Sequence, residues 1–204
     1  MSFYGEQVLP RVTEWILDRP KLEALRRETA RGLFGEVVEI GFGSGLNLPV
    51  LPAEVRRLHA VDPDRTGPRL AAARLAASDV PVDFVGIDGR QIPLDAQSMD
   101  AALSTFTMCS IPELERALGE VRRVLKPGAR LHFLEHGLSN DARVARWQRR
   151  VTPIYSPFAG GCRFDVPIAD AIRAAGFEIE SLDARQRKGP KLGAFLYQGV
   201  ARKA

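Results

Sequence analysis

Cysteine is nearly absent from this chain: 204 residues contain two, Cys109 and Cys162, far apart and outside any C-x-x-C spacing. That usage excludes a disulfide scaffold and the paired-cysteine metal motifs. A chain of this length buries about 70% of its unfolded surface without staples, so neither a metal nor a disulfide is expected. No apolar run approaches the ~20 residues of a membrane-spanning helix, and the Met1-Ser-Phe-Tyr4 start carries no apolar signal segment. The expectation is a cytoplasmic protein. Aromatic residues make up 7% and nowhere interleave with basic ones into a base-stacking platform, so no nucleic-acid partner is expected. Lysine is scarce as well. Only five of the 29 basic side chains are lysines, and the net charge of +4 mildly favours acidic ligands or surfaces. Repeats and low-complexity tracts are missing, which leaves a single domain over 1–204.

What is present is concentrated in Val37-Val-Glu-Ile-Gly-Phe-Gly-Ser-Gly-Leu-Asn-Leu-Pro49. Val37, Val38 and Ile40 give a buried strand, and Gly41, Gly43 and Gly45 let the backbone turn tightly and approach a ligand. A dinucleotide fingerprint would place its third glycine at position 46, where Leu46 stands. The loop is G-x-G-x-G instead. Glu39, at the carboxyl end of the strand, suits a ligand with a cationic amine better than a pyrophosphate.

Hydrophobic periodicity continues as alternating helices and strands. Two amphipathic helices are expected over 6–18 and 21–31, then strands near 36–41, 57–62, 82–87, 99–106 and 129–135. The helix before the fifth strand has Leu114, Leu118, Val121 and Leu125 on one face, with Ser110 and Glu113 forming a capping box and Lys126-Pro-Gly128 as its stop. A helix over 166–175 and strands near 177–182 and 194–200 complete the pattern. Strands separated by helices predict an α/β fold, a mostly parallel sheet with helices on both faces. Ligands of such sheets sit at the carboxyl ends of the strands. Those ends hold Glu39 to Gly45, Asp62, Asp88, Thr105 to Ser110, and Glu135 to Gly137. Asp62, about twenty residues after the glycines, is placed to meet ribose hydroxyls, and Asp88 with Gly89 to meet an adenine edge.

The order VVEIGFGSG, AVDPD, a carboxylate-glycine pair after the third strand, SMDAALS and EVRRVLKPGARLHFLEHG resembles the class I S-adenosylmethionine-dependent methyltransferases from about Phe3 to Ala201. That resemblance implies a Rossmann-like, seven-stranded sheet whose last strand is antiparallel. It also implies S-adenosyl-L-methionine as methyl donor, S-adenosyl-L-homocysteine as product, and a donor site made of Glu39, Gly41, Gly43, Gly45, Asp62, Asp88, Gly89 and Thr105. Residues 1–32 would cover the site, 33–137 would bind the donor, and 138–204 would form the acceptor side and a C-terminal hairpin. Thr107-Met-Cys-Ser-Ile111, Leu134-Glu-His-Gly137, Trp147-Gln148 and Gly160-Gly-Cys162 are similar to small thiol S-methyltransferase-like enzymes. Quinone C-methyltransferases and bacterial phospholipid N-methyltransferases are more distant. Two features are expected to depart from the pattern: Pro49 and Pro52 shorten the helix after the glycine loop, and no counterpart of the N-terminal membrane anchor of the animal thiol enzymes is read in these residues.

The acceptor is therefore expected to be a small molecule, a thiol first, with a phospholipid amine or a quinol carbon as alternatives. His136, directly after the fifth strand, is the candidate catalytic residue, weighed evenly against a structural role. His59 and His132 fall inside strands and are read as packed. Tyr4, Cys109, Trp147 and Cys162 are the acceptor-side candidates, although packing is the commoner fate of small buried cysteines. Arg143, Arg146, Arg149 and Arg150 recur around Trp147. They are read as a solvated face over a core tryptophan, with peripheral contact to an anionic membrane as the alternative. Two further alternatives, a nicotinamide oxidoreductase and a donor-binding module without catalysis, would be separated by ligand calorimetry and a product assay.

Overall fold

The computed structural model describes residues 8–63, 67–86 and 91–204; Tyr4, Asp88 and Gly89 lie outside them. Seven strands form one sheet: β1 (Gly35–Ile40), β2 (Val55–Val61), β3 (Val82–Gly86), β4 (Met99–Thr105), β5 (Leu125–His136), β6 (Phe177–Gln186) and β7 (Phe195–Lys203). Their order is β3-β2-β1-β4-β5-β7-β6, and β7 alone runs against its neighbours β5 and β6. The seven strands and the antiparallel last strand agree with the resemblance. β1 lies between β2 and β4, pairing Glu39 with Ala60 and Leu103. Connections leave β1 and β4 in opposite directions here, and the crevice at their carboxyl ends is the ligand position of such sheets.

Helices α1 (Leu9–Leu17), α2 (Pro20–Ala30), α3 (Gly67–Leu70), α4 (Ala72–Ala76), α5 (Leu114–Val124), α6 (Ala142–Tyr155) and α7 (Ile168–Ala174) flank the sheet. Because both faces are covered, β1 is buried nearly throughout. Val38, Ile40 and Phe133 pack with Leu118, Val121, Ile168 and Ile172 on one side; Val37, Leu58 and Leu103 pack with Ala30, Leu33 and Leu48 on the other. No residue of α1 is buried, and Arg74 of α4 anchors it. The Arg74 guanidinium donates to Glu14 at 2.7 Å, to Asp18 at 2.9 Å and to the Ser44 carbonyl at 3.1 Å. Among the described residues no helix is long and apolar enough to cross a membrane.

Three local expectations are corrected. The capping box of α5 does not form. Ser110 closes a 3-10 turn (Met108–Ser110), Ile111 is extended, and the helix opens at Leu114 with no side-chain cap. Pro112 is the reason, because it drives the residue before it out of the helical region. Next, β5 begins at Leu125 rather than near 129. Lys126-Pro-Gly128 lies within the strand as an irregularity, Gly128 taking φ +73° between the Met99–Leu125 and Ala101–Arg130 pairs. Last, Trp147 is not a core residue: it is 59% exposed, and its neighbour Gln148 is the buried one.

Candidate donor and acceptor site

The donor side grows out of β1. Gly41, Gly43 and Gly45 all take positive φ, a conformation that L side chains rarely adopt. A Cβ on Gly41 would fall inside the Thr107 side chain, which closes that position to anything larger. At Gly43 a Cβ would meet nothing within 4 Å, and the Gly43 amide donates to Asp62 Oδ2 at 2.6 Å. Asp62 therefore holds the loop's shape while standing at the end of β2. Pro49 restricts the segment after the glycines to one 3-10 turn (Leu48–Val50). Asn47 is thereby left outside any helix and turns back, donating to Glu39 Oε1 at 2.5 Å and to Thr105 Oγ1 at 3.0 Å. Thr105 buttresses Asn47 in this arrangement.

Glu39 is fully buried, and its Oε2 has no hydrogen-bond partner among the described residues. Burial pushes its carboxyl up to about 8, nearby Asp62 adds to the rise, and Asn47 and Arg26 oppose it. Arg26, 3% exposed on α2, faces it electrostatically. Burial lowers Arg26 to about 10 against the attraction of Glu39. Its Nη1 donates to the Leu17 carbonyl at 3.0 Å, and the guanidinium lies 5.2 Å from the Phe106 ring centroid. Phe106 itself takes φ +54°, a strained conformation for a non-glycine residue of the kind that clusters at functional sites. An orphaned buried carboxylate oxygen beside an open glycine loop fits a ligand bearing an ammonium group. The amino-acid end of S-adenosylmethionine is such a group, and Arg26 offers the opposite pole for its carboxylate.

On the acceptor side, Glu135 of β5 organises the end of β4. Its carboxylate accepts from Ser104 Oγ at 2.8 Å, from the Thr107 amide at 2.9 Å and from the Met108 amide at 3.1 Å. Burial and the adjacent Cys109 raise Glu135 to about 8, against those three donors. The turn so held delivers Cys109 toward His136. Cys162 arrives from the segment after α6, following Gly160 and Gly161, both at positive φ, and the Arg163 amide donates to the Cys109 carbonyl at 3.1 Å. Cys162 Sγ lies 3.1 Å from His136 Nε2 and 3.9 Å from Cys109 Sγ. Contact with Cys162 draws Cys109 well below the usual thiol range, against burial and with help from His136, and Cys162 is pushed up in turn. Burial works to lower His136, yet the Cys109 sulfur and Glu135 raise it overall. Gln148 locks the exit from β5: it accepts from the Ser139 amide at 2.8 Å and donates to the carbonyls of Gly137 at 3.0 Å and Leu192 at 2.8 Å.

The structure thus brings together His136, Cys109 and Cys162, and separately Glu39, Thr105, Asp62 and the three glycines. Trp147 points to solvent on α6. His132 bonds the Thr29 carbonyl at 2.8 Å and His59 bonds Glu36 at 2.9 Å, as expected of packed histidines. Arg26, Asn47 and Gln148 were not singled out as site residues by sequence. Asn47 was findable, since a polar residue trapped between Gly45 and Pro49 cannot sit on a helix face. Nothing in the pattern of α2 distinguishes Arg26 from its exposed neighbours.

The family model for a methyltransferase domain matches residues 38–133, from β1 through most of β5. The chain is 29% identical over 175 residues to the thiol S-methyltransferase TMT1B of Rattus norvegicus, covering 80% of this chain and 71% of that one. To the Homo sapiens TMT1B it is 31% identical over 156 residues, 70% of this chain and 63% of that protein, so it spans less than two thirds of the human relative. Among solved structures, a methyltransferase of Thermotoga maritima superposes with a TM-score of 0.67 at 24% identity, over 98% of each chain, a likeness of fold. The domain match, the sheet order and the G-x-G-x-G loop over a buried acidic residue together establish that this chain belongs to the class I S-adenosylmethionine-dependent methyltransferases.

Proposed function

We propose that the protein methylates the sulfur of a small thiol. The observation that carries this reading is the placement of the Cys109–His136–Cys162 cluster: it starts two residues beyond Thr107, the side chain that packs against Gly41 of the donor loop. When bound, S-adenosylmethionine supplies a methyl group on a cationic sulfur, open to in-line displacement. The chain's task is to hold the two sides. Glu39 and Arg26 would orient the amino-acid end, Asp62 the ribose, and the glycine backbone would let the donor come close. An acceptor sulfur held about 3–3.5 Å from the methyl carbon has the geometry that displacement needs. A thiol with pKa about 8.5 is only partly ionised at neutral pH, so His136 would favour its thiolate. Similarity to the TMT1B thiol S-methyltransferases supports the same acceptor class.

A transfer assay with radiolabelled methyl donor tests this across hydrogen sulfide, small alkyl thiols, phosphatidylethanolamine and demethylquinols. We expect label on thiol sulfur. Turnover of the lipid or the quinol with every thiol left untouched would overturn the reading.

A further inference from the structure

We propose that Cys109, His136 and Cys162 form a binding site for one Zn2+ ion, with the fourth coordination position left to the acceptor's sulfur; this last point rests on the thiol reading above. One ligand atom from each of the three residues lies within 4.8 Å of the other two. Ideal tetrahedral zinc, with Zn–S of about 2.3 Å and Zn–N of about 2.0–2.1 Å, sets two sulfurs about 3.8 Å apart and a sulfur about 3.5 Å from a nitrogen. The observed Sγ–Sγ distance is 3.9 Å and the Nε2–Sγ distance from His136 to Cys162 is 3.1 Å. Closing the same two sulfurs into a disulfide would require them to approach to about 2.05 Å. For these two pairs metal binding asks for a few tenths of an ångström, and Cys109 to His136, within 4.8 Å, would close by at most about 1.3 Å; a disulfide asks the sulfurs for nearly two. The geometry points to the metal.

Ligand chemistry narrows the choice. Two thiolates and an imidazole are soft to borderline donors, a set that selects zinc over magnesium or calcium, and three protein ligands with one open position is the pattern of catalytic rather than structural zinc. Two thiolates also cancel the ion's charge, which suits a site whose Cys109 is 1% exposed. Each ligand has its own backbone anchor. Glu135 fixes the turn before Cys109, pairing of β5 with β7 through His136 and Leu196 fixes the histidine, and the Cys162 amide donates to Ala159 at 3.1 Å. With the acceptor's sulfur on the open position, the metal takes over the promotion of its ionisation. The S–H proton passes to water and the sulfur lone pair forms the new S–C bond. The old bond from methyl to sulfonium breaks, and its electron pair goes to the donor's sulfur.

The test uses the whole protein, stripped with a chelator under reducing conditions and titrated with Co2+ as a spectroscopic probe. One equivalent should produce intense thiolate-to-cobalt charge-transfer absorption, displaced by one equivalent of Zn2+. Loss of an outer-sphere partner typically costs 10–100-fold in metal affinity, so Cys109→Ser and Cys162→Ser, which remove a ligand outright, should weaken Zn2+ by more than about 100-fold. Should either variant fail to fold, X-ray absorption of the zinc-loaded parent must show two sulfurs and one histidine nitrogen. Absence of thiolate–cobalt bands, unchanged affinity in a folded cysteine variant, or a shell without two sulfurs would each overturn the site. Thiol methylation that survives complete stripping overturns the acceptor's place on the metal and leaves the thiol reading standing; the metal signature with no thiol turnover leaves the metal site and overturns the thiol reading.

Discussion

At the scale of single residues, the proposed donor site turns on Glu39, whose burial reverses the usual pH behaviour of a carboxylate. Its folded value of about 8 lies above the ordinary 4.5, so the native state holds a proton that the unfolded chain releases. The contribution of Glu39 to stability is full below about pH 4.5 and is lost as pH rises toward 8. A ligand ammonium should favour the ionised form. Affinity for S-adenosylhomocysteine should then rise with pH between 6 and 8, by up to about tenfold per unit, with a proton released on binding. Glu39→Gln should flatten that profile and raise thermal stability at pH 8; calorimetry in buffers of different ionisation enthalpy reads both proton release and affinity. An unchanged pH profile in the variant would remove Glu39 from the ammonium. The glycines separate in the same spirit. Gly41→Ala drives a methyl group into Thr107 on top of left-handed strain, about 2–5 kcal/mol together, whereas Gly43→Ala carries the strain alone, about 1–2 kcal/mol. Denaturant unfolding should show that ordering, and Gly43→Val should fold yet lose donor binding. Equal destabilisation by the two alanines would contradict the packing described for Gly41.

Among the elements, α6 joins the proposed acceptor side to the sheet through one side chain. Gln148 satisfies the Ser139 amide and the carbonyls of Gly137 and Leu192. Gln148→Met keeps the volume but leaves buried backbone groups unpaired, at about 1–3 kcal/mol for each group. Thermal unfolding should shift accordingly, and hydrogen exchange at the Ser139 amide, which Gln148 accepts from, should quicken while β1 and β4 keep their protection. Uniform quickening across the sheet would show that Gln148 acts on the whole core. How far elements were legible follows from how local their signals are. The β-branched run of β1, the apolar stripe of α5 and the short turn imposed by Pro49 each depend on neighbouring residues alone, and each appears where expected. The capping box failed because two local rules competed at one place: Ser110 and Glu113 have the right spacing, but Pro112 lies between them. β5 ran longer than expected because pairing with β4 recruits Leu125, something no turn rule reports.

For the molecule as a whole, the alternation of periods along the chain determined an α/β sheet with its ligand at the strand ends, and the glycine spacing with Glu39 determined a donor with an amine rather than a pyrophosphate. These readings needed only residues within a few positions of each other. Sequence left Cys109, His136 and Cys162 as three separate residues, the cysteines read as packed and His136 evenly balanced, because nothing local links positions 53 apart. Only the tertiary structure decided that they meet: the strand order sets β4 beside β5, Glu135 folds the end of one over the other, and two left-handed glycines return the chain with Cys162. The same holds for Arg26, an ordinary helical arginine until α2 packs against β5, β7 and the turn after the glycine loop and its side chain is buried facing Glu39. Periodicity and turn chemistry are properties of short stretches of chain, while the juxtaposition of distant side chains is set by sheet order and packing, which no short stretch contains.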